Sequence, residues 1–246
     1  MKFRSIFTGF LILIFANSAF ALTGLEIMKK SDALPQPDTA KSKIIMRIHK
    51  GKRMNEKAFT LLMKQYPNDE DKAIISFSRP TRIKLLTHSH KGRDDDQWLR
   101  LSSGRIKRVA SSSKGKPFVN SHFYYEDLSS VDIDDYDFKL IGEGKALGAP
   151  CYKVEGVKKT GEKVYDHLVF YVRKSDFFVV RIDFYKKGKF HKFLENYDVK
   201  KVNGILTPFR MSMKLANGKG RTDLFVVGLK YNADIPDNKF RKEALR

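Results

Sequence analysis

DHLVFYVRKSDFFVVRIDFYKKGKF, residues 166–190, alternates apolar and polar side chains through two runs separated by turn residues. In the first run Leu168, Phe170 and Val172 share one face and oppose His167 and Arg173. In the second, Phe178, Val180, Ile182 and Phe184 oppose Arg181 and Asp183. A period of two is the mark of a strand with one buried face, because successive side chains leave a pleated strand on opposite sides. Lys174-Ser175-Asp176 and Lys186-Lys187-Gly188 carry turn chemistry, so the two runs form hairpins rather than crossovers.

The same habit extends in both directions. Ile44, Met46 and Ile48 alternate, as do Phe59, Leu61 and Met63, then Ala73, Ile75 and Phe77, then Ile83 and Leu85. Later come Phe209, Met211 and Met213, opposed by Arg210, Ser212 and Lys214, and then Phe225, Val227, Leu229 and Tyr231. Asn203-Gly204 and Asn217-Gly218 are further hairpin turns. Consecutive strands on short turns predict a mainly β chain with few helices: a curled antiparallel sheet of about 10–11 strands. Little sequence is left to cover such a sheet with a second layer. Thr23 and Glu26 have capping-box spacing, which predicts a short helix before the Pro-Gln-Pro loop at 35–37. The other long non-strand stretch, 111–137, includes a predicted short helix around 124–131. Together these two segments are the expected lid of a half-barrel.

The first 21 residues have the layout of an export signal: Lys2 and Arg4, an apolar run from Ile6 to Phe15, then Ala19-Phe20-Ala21. Cleavage after Ala21 would leave a single domain, 22–246, in the periplasm. Leu22, not a cysteine, would follow the cut, so no lipid anchor is expected there. The only cysteine is Cys151, in a strand-like run, and is expected to be a buried, inert thiol. The formal net charge is +20, with the basic residues scattered through strands and turns rather than set in a stripe. In an exported chain this excess points to a membrane surface of phospholipid or lipopolysaccharide head groups rather than nucleic acid, and the alternative is a plain solvated surface that keeps the protein soluble.

No constellation of residues predicts catalysis or a cofactor. His88 and His90 share a strand face, but Lys91-Gly92-Arg93 beside them would repel a metal. An acidic run at Asp132, Asp134, Asp135 and Asp137 lacks the glycine that a calcium loop needs, because Asp137 stands at the sixth place. Gly142-Glu143-Gly144-Lys145 lacks both the leading glycine and the hydroxyl of a phosphate loop. What the chain offers instead is apolar surface, with 19 Phe and 7 Met placed largely on strand faces. The residues predicted to line a concave acyl-chain site are Leu168, Phe170, Val172, Phe178, Val180, Ile182, Phe184, Phe209, Met211, Met213, Phe225 and Val227, with Trp98 at the rim. The alternative is an adaptor module whose barrel is filled by its own side chains.

A second stretch carries a resemblance. In DDDQWLRLSSGRIKRVASSSKGKPFVNSHFYYEDL, residues 94–128, an acidic turn ending at Asp96 leads to Trp98-Leu99. Arg105, Lys107, Arg108 and Val109 follow, and then Phe118, Ser121, Phe123 and Tyr125-Glu126-Asp127-Leu128. Gly142-Glu143 and Cys151-Tyr152-Lys153-Val154-Glu155 continue the pattern. This order resembles the outer-membrane lipoprotein-sorting family, periplasmic domains with the half-barrel fold of the lipoprotein carriers LolA and LolB. The resemblance implies a non-enzymatic carrier of lipid or lipoprotein acyl chains in transit towards the outer membrane. It also implies a membrane transporter of the resistance-nodulation-division type as a partner.

Overall fold

The computed structural model describes residues 22–67, 70–129, 132–159 and 163–246. The proposed export signal therefore lies outside the described residues. One helix, α1 (Gly24–Asp32), precedes a run of strands: β1 (Thr39–Lys50), β2 (Arg53–Lys64), β3 (Lys72–Arg79), β4 (Lys84–His88), β5 (Asp96–Arg100) and β6 (Ile106–Arg108). The second run is β7 (Tyr136–Ala146), β8 (Ala149–Lys158), β9 (His167–Arg173), β10 (Val179–Lys186), β11 (Lys189–Val202), β12 (Ile205–Leu215) and β13 (Gly220–Tyr231). All 13 strands form one antiparallel sheet, more strands than the alternation alone marks out. One of the additional strands is hard to read, because β11 lacks a clean apolar alternation.

Strand order explains the architecture. It runs β6-β5-β4-β3-β2-β1-β13-β12-β11-β10-β9-β8-β7, so the chain starts in the middle, meanders to one edge, and reappears at the opposite edge. It then meanders back until β13 pairs with β1. The link between the two edges is the segment after β6, which must cross a face of the sheet. Val109, Phe118 and Phe123 of that segment are buried in the same cluster as inward residues of both halves, so it crosses the concave side. A sheet this wide curls, and the crossing segment fills the curl. The fold is a half-barrel with a lid, as the strand pattern implies.

The helix forms where the capping box places it. The Thr23 hydroxyl accepts from the Glu26 N–H at 3.2 Å, and the Glu26 carboxylate accepts from the Thr23 N–H at 2.7 Å. Ile27 and Met28 enter the main cluster, and the helix packs on β7, β8 and β9. Gly24 makes this possible. A Cβ there would lie 2.6 Å from both Leu140 N and Lys139 C, so helix and strand backbones meet with no room for a methyl group. Because the clash is with backbone, Gly24→Ala is expected to cost about 1–3 kcal/mol in urea unfolding. A change below a few tenths would show that the helix is not seated on β7.

Two smaller clusters cover the convex side. Ile74 and Leu86 pack with Ile235, Phe240 and Leu245 of the C-terminal segment. Ala146, Cys151 and Val180 form the other cluster. Cys151 is buried there, and burial pushes its thiol pKa up, which leaves little thiolate.

Candidate functional site

The concave face is built by alternating residues from both halves of the sheet. Ile44, Met46 and Ile48 of β1, Phe59 of β2, Phe77 of β3 and Leu85 of β4 supply one wall. Val154 of β8, Leu168, Phe170 and Val172 of β9, Phe184 of β10 and Met213 of β12 supply the other. Ile182 and Met211 pack against this cluster with partial exposure. Seven of the residues predicted to line the concavity are thus brought together: Leu168, Phe170, Val172, Ile182, Phe184, Met211 and Met213.

The other predicted lining residues lie elsewhere, for reasons of register. On β10 the ladder shifts between Val179 and Arg181, so Val179 packs inward while Val180 and Phe178 join Cys151 on the convex side. On β13 the inward residues are Leu224 and Val226. Phe225 instead lies under the Arg47 guanidinium, 5.1 Å from ring centroid to Cζ. The β1–β13 ladder skips from Gly228 to Val226, which leaves Val227 unpaired and 58% exposed. Phe209 is half-buried beneath Lys200, outside the cluster. Trp98 is on the convex face because its neighbour Leu99 points inward. Its ring meets the edge of His88 at 5.0 Å and the Lys242 ammonium at 4.4 Å.

The lid occupies the concavity. Phe118 is 1% exposed, its ring 5.8 Å from Phe77 and 5.4 Å from Tyr125. Pro117 bridges to Tyr124, and the Phe118 N–H donates to the Phe123 carbonyl at 2.8 Å, which closes a small loop. Within that loop Val119 and Asn120 have φ of 45° and 63°, a strained left-handed conformation for a β-branched residue. The predicted helix around 124–131 is a single tight turn, Glu126–Leu128. The void beside Tyr136, Tyr165 and Leu168 measures about 10 Å³, too small for any acyl chain.

The lid is fastened to the sheet by charge as well as by apolar contact. Lys192 of β11 is fully buried and donates to Asp127 at 2.5 Å and to the His122 carbonyl at 3.0 Å. Its ammonium lies 3.7 Å from the centroid of the Tyr124 ring. Asp127 also accepts from the Tyr165 hydroxyl and the Tyr124 N–H, both at 2.6 Å. Burial draws the Lys192 pKa below the ordinary lysine value, against the pull of Asp127. Beside it, Lys158 of β8 contacts Glu126 at 3.3 Å and Asp94 at 3.2 Å. Burial raises the Glu126 pKa, and its Oε2 is buried with no hydrogen-bond partner among the described residues. The adjacent acids of the Tyr125-Glu126-Asp127-Leu128 motif are therefore the lid's attachment points to two lysines of the sheet.

Sequence reasoning missed Lys192 and the His122–Thr222 contact, in which the Thr222 hydroxyl meets His122 N and Nδ1 at 3.0 and 2.8 Å. The available signal was a lysine two residues before Leu194, where strand parity wants an apolar group. The two histidines considered as a metal pair make separate bonds: His88 Nε2 is 2.7 Å from the Phe240 carbonyl and His90 Nε2 is 3.1 Å from Asp96. Among the described residues no group of three or more His, Cys, Asp or Glu is placed to hold a metal.

Comparisons with known proteins agree with this geometry. A family model described only as an uncharacterized protein matches residues 69–246. No curated protein matches the sequence. Among solved structures, a DUF1329 family protein from Desulfovibrio piger is 28% identical with a TM-score of 0.86, over 91% of this chain and 98% of that one. A domain named for outer-membrane lipoprotein sorting, from Vibrio parahaemolyticus, is 27% identical with a TM-score of 0.85, over 90% and 97% of the two chains. A LolA superfamily protein from Nitrosomonas europaea shares the fold at 20% identity, with a TM-score of 0.72 over 91% and 100%.

Proposed function

The chain belongs to the family whose model matches residues 69–246 and has the LolA-like half-barrel fold, and from that premise we propose that it is a periplasmic carrier that shelters acyl chains under its lid, as the name of its lipoprotein-sorting neighbour suggests. The observation that carries this reading is the way the lid is attached. A plug meant to be permanent would be sealed by apolar packing alone, whereas this one adds buried ion pairs to its apolar contacts, with one carboxylate oxygen left unpartnered. Water can solvate those charges once the lid lifts, which lowers the cost of opening. Lifting it would expose a continuous apolar face, and each methylene buried there would contribute about 0.8 kcal/mol. An acyl chain could then replace Phe118 and Phe123 without any specific polar contact.

In this reading the cargo is a lipid or the acyl chains of a lipoprotein, bound without chemical change. A resistance-nodulation-division transporter is the partner we propose on the family resemblance alone. A second reading is favoured by the present packing: the concavity is full, as it would be in an adaptor that never opens. The two differ in what space-filling does. Met211 lies on the inner face with partial exposure. In a carrier, Met211→Trp should weaken uptake of a fluorescent fatty acid by roughly tenfold while the protein stays folded. Saturable binding by the parent, displaced by lipid and weakened in this variant, supports the carrier. No binding by the parent, and no lipid in its organic extract by mass spectrometry, would establish the filled adaptor instead.

A further inference from the structure

Three hairpin tips stand side by side at one end of the sheet: 50–53 between β1 and β2, 186–189 between β10 and β11, and 216–219 between β12 and β13. The pairings Lys50 with Gly220 and Lys192 with Leu215 keep them at the same end. Two grooves join them. One, of about 530 Å³, runs from His49 and Gly51 to the β12–β13 turn. The other, of about 650 Å³, runs from the far side of that turn to Lys186, Lys189 and Tyr124.

The charge of these tips is one-sided. HKGKRM (49–54), YKKGKFH (185–191) and KLANGKGR (214–221) contain nine Lys and Arg and no Asp or Glu. Among the described residues only two of the nine are in ion pairs, Lys214 with Glu195 at 2.7 Å and Arg221 with Asp223 at 2.9 Å. The nearby Asp166 is engaged by the Gly188 N–H at 2.5 Å. Gly51, Gly188 and Gly218 all have positive φ, and a Cβ on any of them would meet nothing within 4 Å, so the tips project freely. Two large apolar side chains are exposed among the lysines, Met54 at 52% and Phe190 at 38%.

We propose that this rim docks on a bilayer containing anionic phospholipid. The cations do not converge on a point, as they would around one phosphate. They spread across six neighbouring strands, about 24 Å at ordinary strand spacing, which suits a field of headgroups. Exposed Met and Phe beside lysine fit the bilayer interface, where an apolar group can enter while the ammonium stays with the phosphates. The docked rim would sit at the lid's edge, because the Tyr124 hydroxyl is 2.8 Å from His191 Nε2 in the second groove. Docking goes beyond the carrier reading and does not depend on it.

Co-sedimentation of the full chain with phosphatidylcholine vesicles, with and without phosphatidylglycerol, tests the proposal. Binding is expected only with phosphatidylglycerol and should weaken as salt is raised. A cation near an anionic surface contributes about fivefold, so the combined variant Lys187→Glu, Lys189→Glu, Lys219→Glu should lose at least a hundredfold. The matched control Lys200→Glu, Lys201→Glu, Lys230→Glu changes the net charge equally at the other end of the strands and should bind within a few-fold of the parent. Equal losses in the two variants would assign binding to diffuse net charge and overturn the proposal. So would equal binding to neutral vesicles, or attachment to a soluble acidic protein with none to vesicles. Fatty-acid uptake by the triple rim variant separates the two readings, since it should match the parent whether or not docking is lost.

Discussion

Replacing Lys192 by methionine is expected to destabilise the protein by about 3–5 kcal/mol, measured by urea unfolding. Methionine fills nearly the same volume, so the loss would come from charge rather than from a cavity. It would leave the Asp127 carboxylate, 3% exposed, without its counter-ion. The Tyr165 hydroxyl and Tyr124 N–H would still donate to it, which favours the lower half of the range. Adding Asp127→Asn should restore most of the stability, because the buried charge is gone while the amide oxygen can still accept from the Tyr124 N–H and the amide NH2 can donate to the Tyr165 hydroxyl oxygen. A single variant within about 1 kcal/mol of the parent would mean that the pair does not hold the lid. If the double variant were no better than the single one, the cause would be packing rather than charge.

Phe118→Ala should cost nearly as much by another route. Full burial of a phenyl ring in a cluster with Phe77 and Tyr125 puts truncation at about 3–5 kcal/mol if the lid stays docked. The lid has another option: once its main apolar anchor is gone it can lift as a local unit, and the observed cost is then capped at the free energy of docking. Hydrogen exchange distinguishes the two outcomes. Docked truncation would raise exchange across the whole sheet, while lifting would raise it at the Phe118, Ser121 and Tyr125 amides and spare β1 and β13. Lifting would also bare the concave face and increase binding of an apolar dye, as the carrier reading requires. Unchanged exchange and unchanged stability would show that Phe118 does not anchor the lid.

The architecture was open to reading because its signals are local. Alternation along β9, a run of hairpin turns and the Thr23–Glu26 capping box each depend on residues within a few positions of one another. Together they determined an antiparallel meander with a short capped helix. The Phe118 to Leu128 motif marked the lid segment and its acidic pair. That the segment must cross the concavity was not legible. It follows from β6 and β7 being opposite edges of one sheet, which depends on β13 finding β1 some 180 residues along the chain.

Which side of each strand faces inward was decided partly in sequence and partly in space. On β9 the even parity is wholly apolar while the odd one mixes His167 and Arg173 with Val169 and Tyr171, and at the end of β12 Met211 and Met213 oppose Arg210, Ser212 and Lys214, so there the residues themselves favour one side. On β13 both parities are apolar: Leu224 and Val226 compete with Phe225 and Val227, and the register against β1 selects the first pair. On β10 the irregularity after Val179 reverses the parity partway along, which no count of alternate residues can reveal. Trp98 faces outward because the C-terminal segment supplies an apolar cover on the convex side. Lys192 tolerates complete burial only because Asp127 arrives from a distant segment to share its charge. A period of two determines that a strand has two faces, and long-range pairing determines which of them meets the interior.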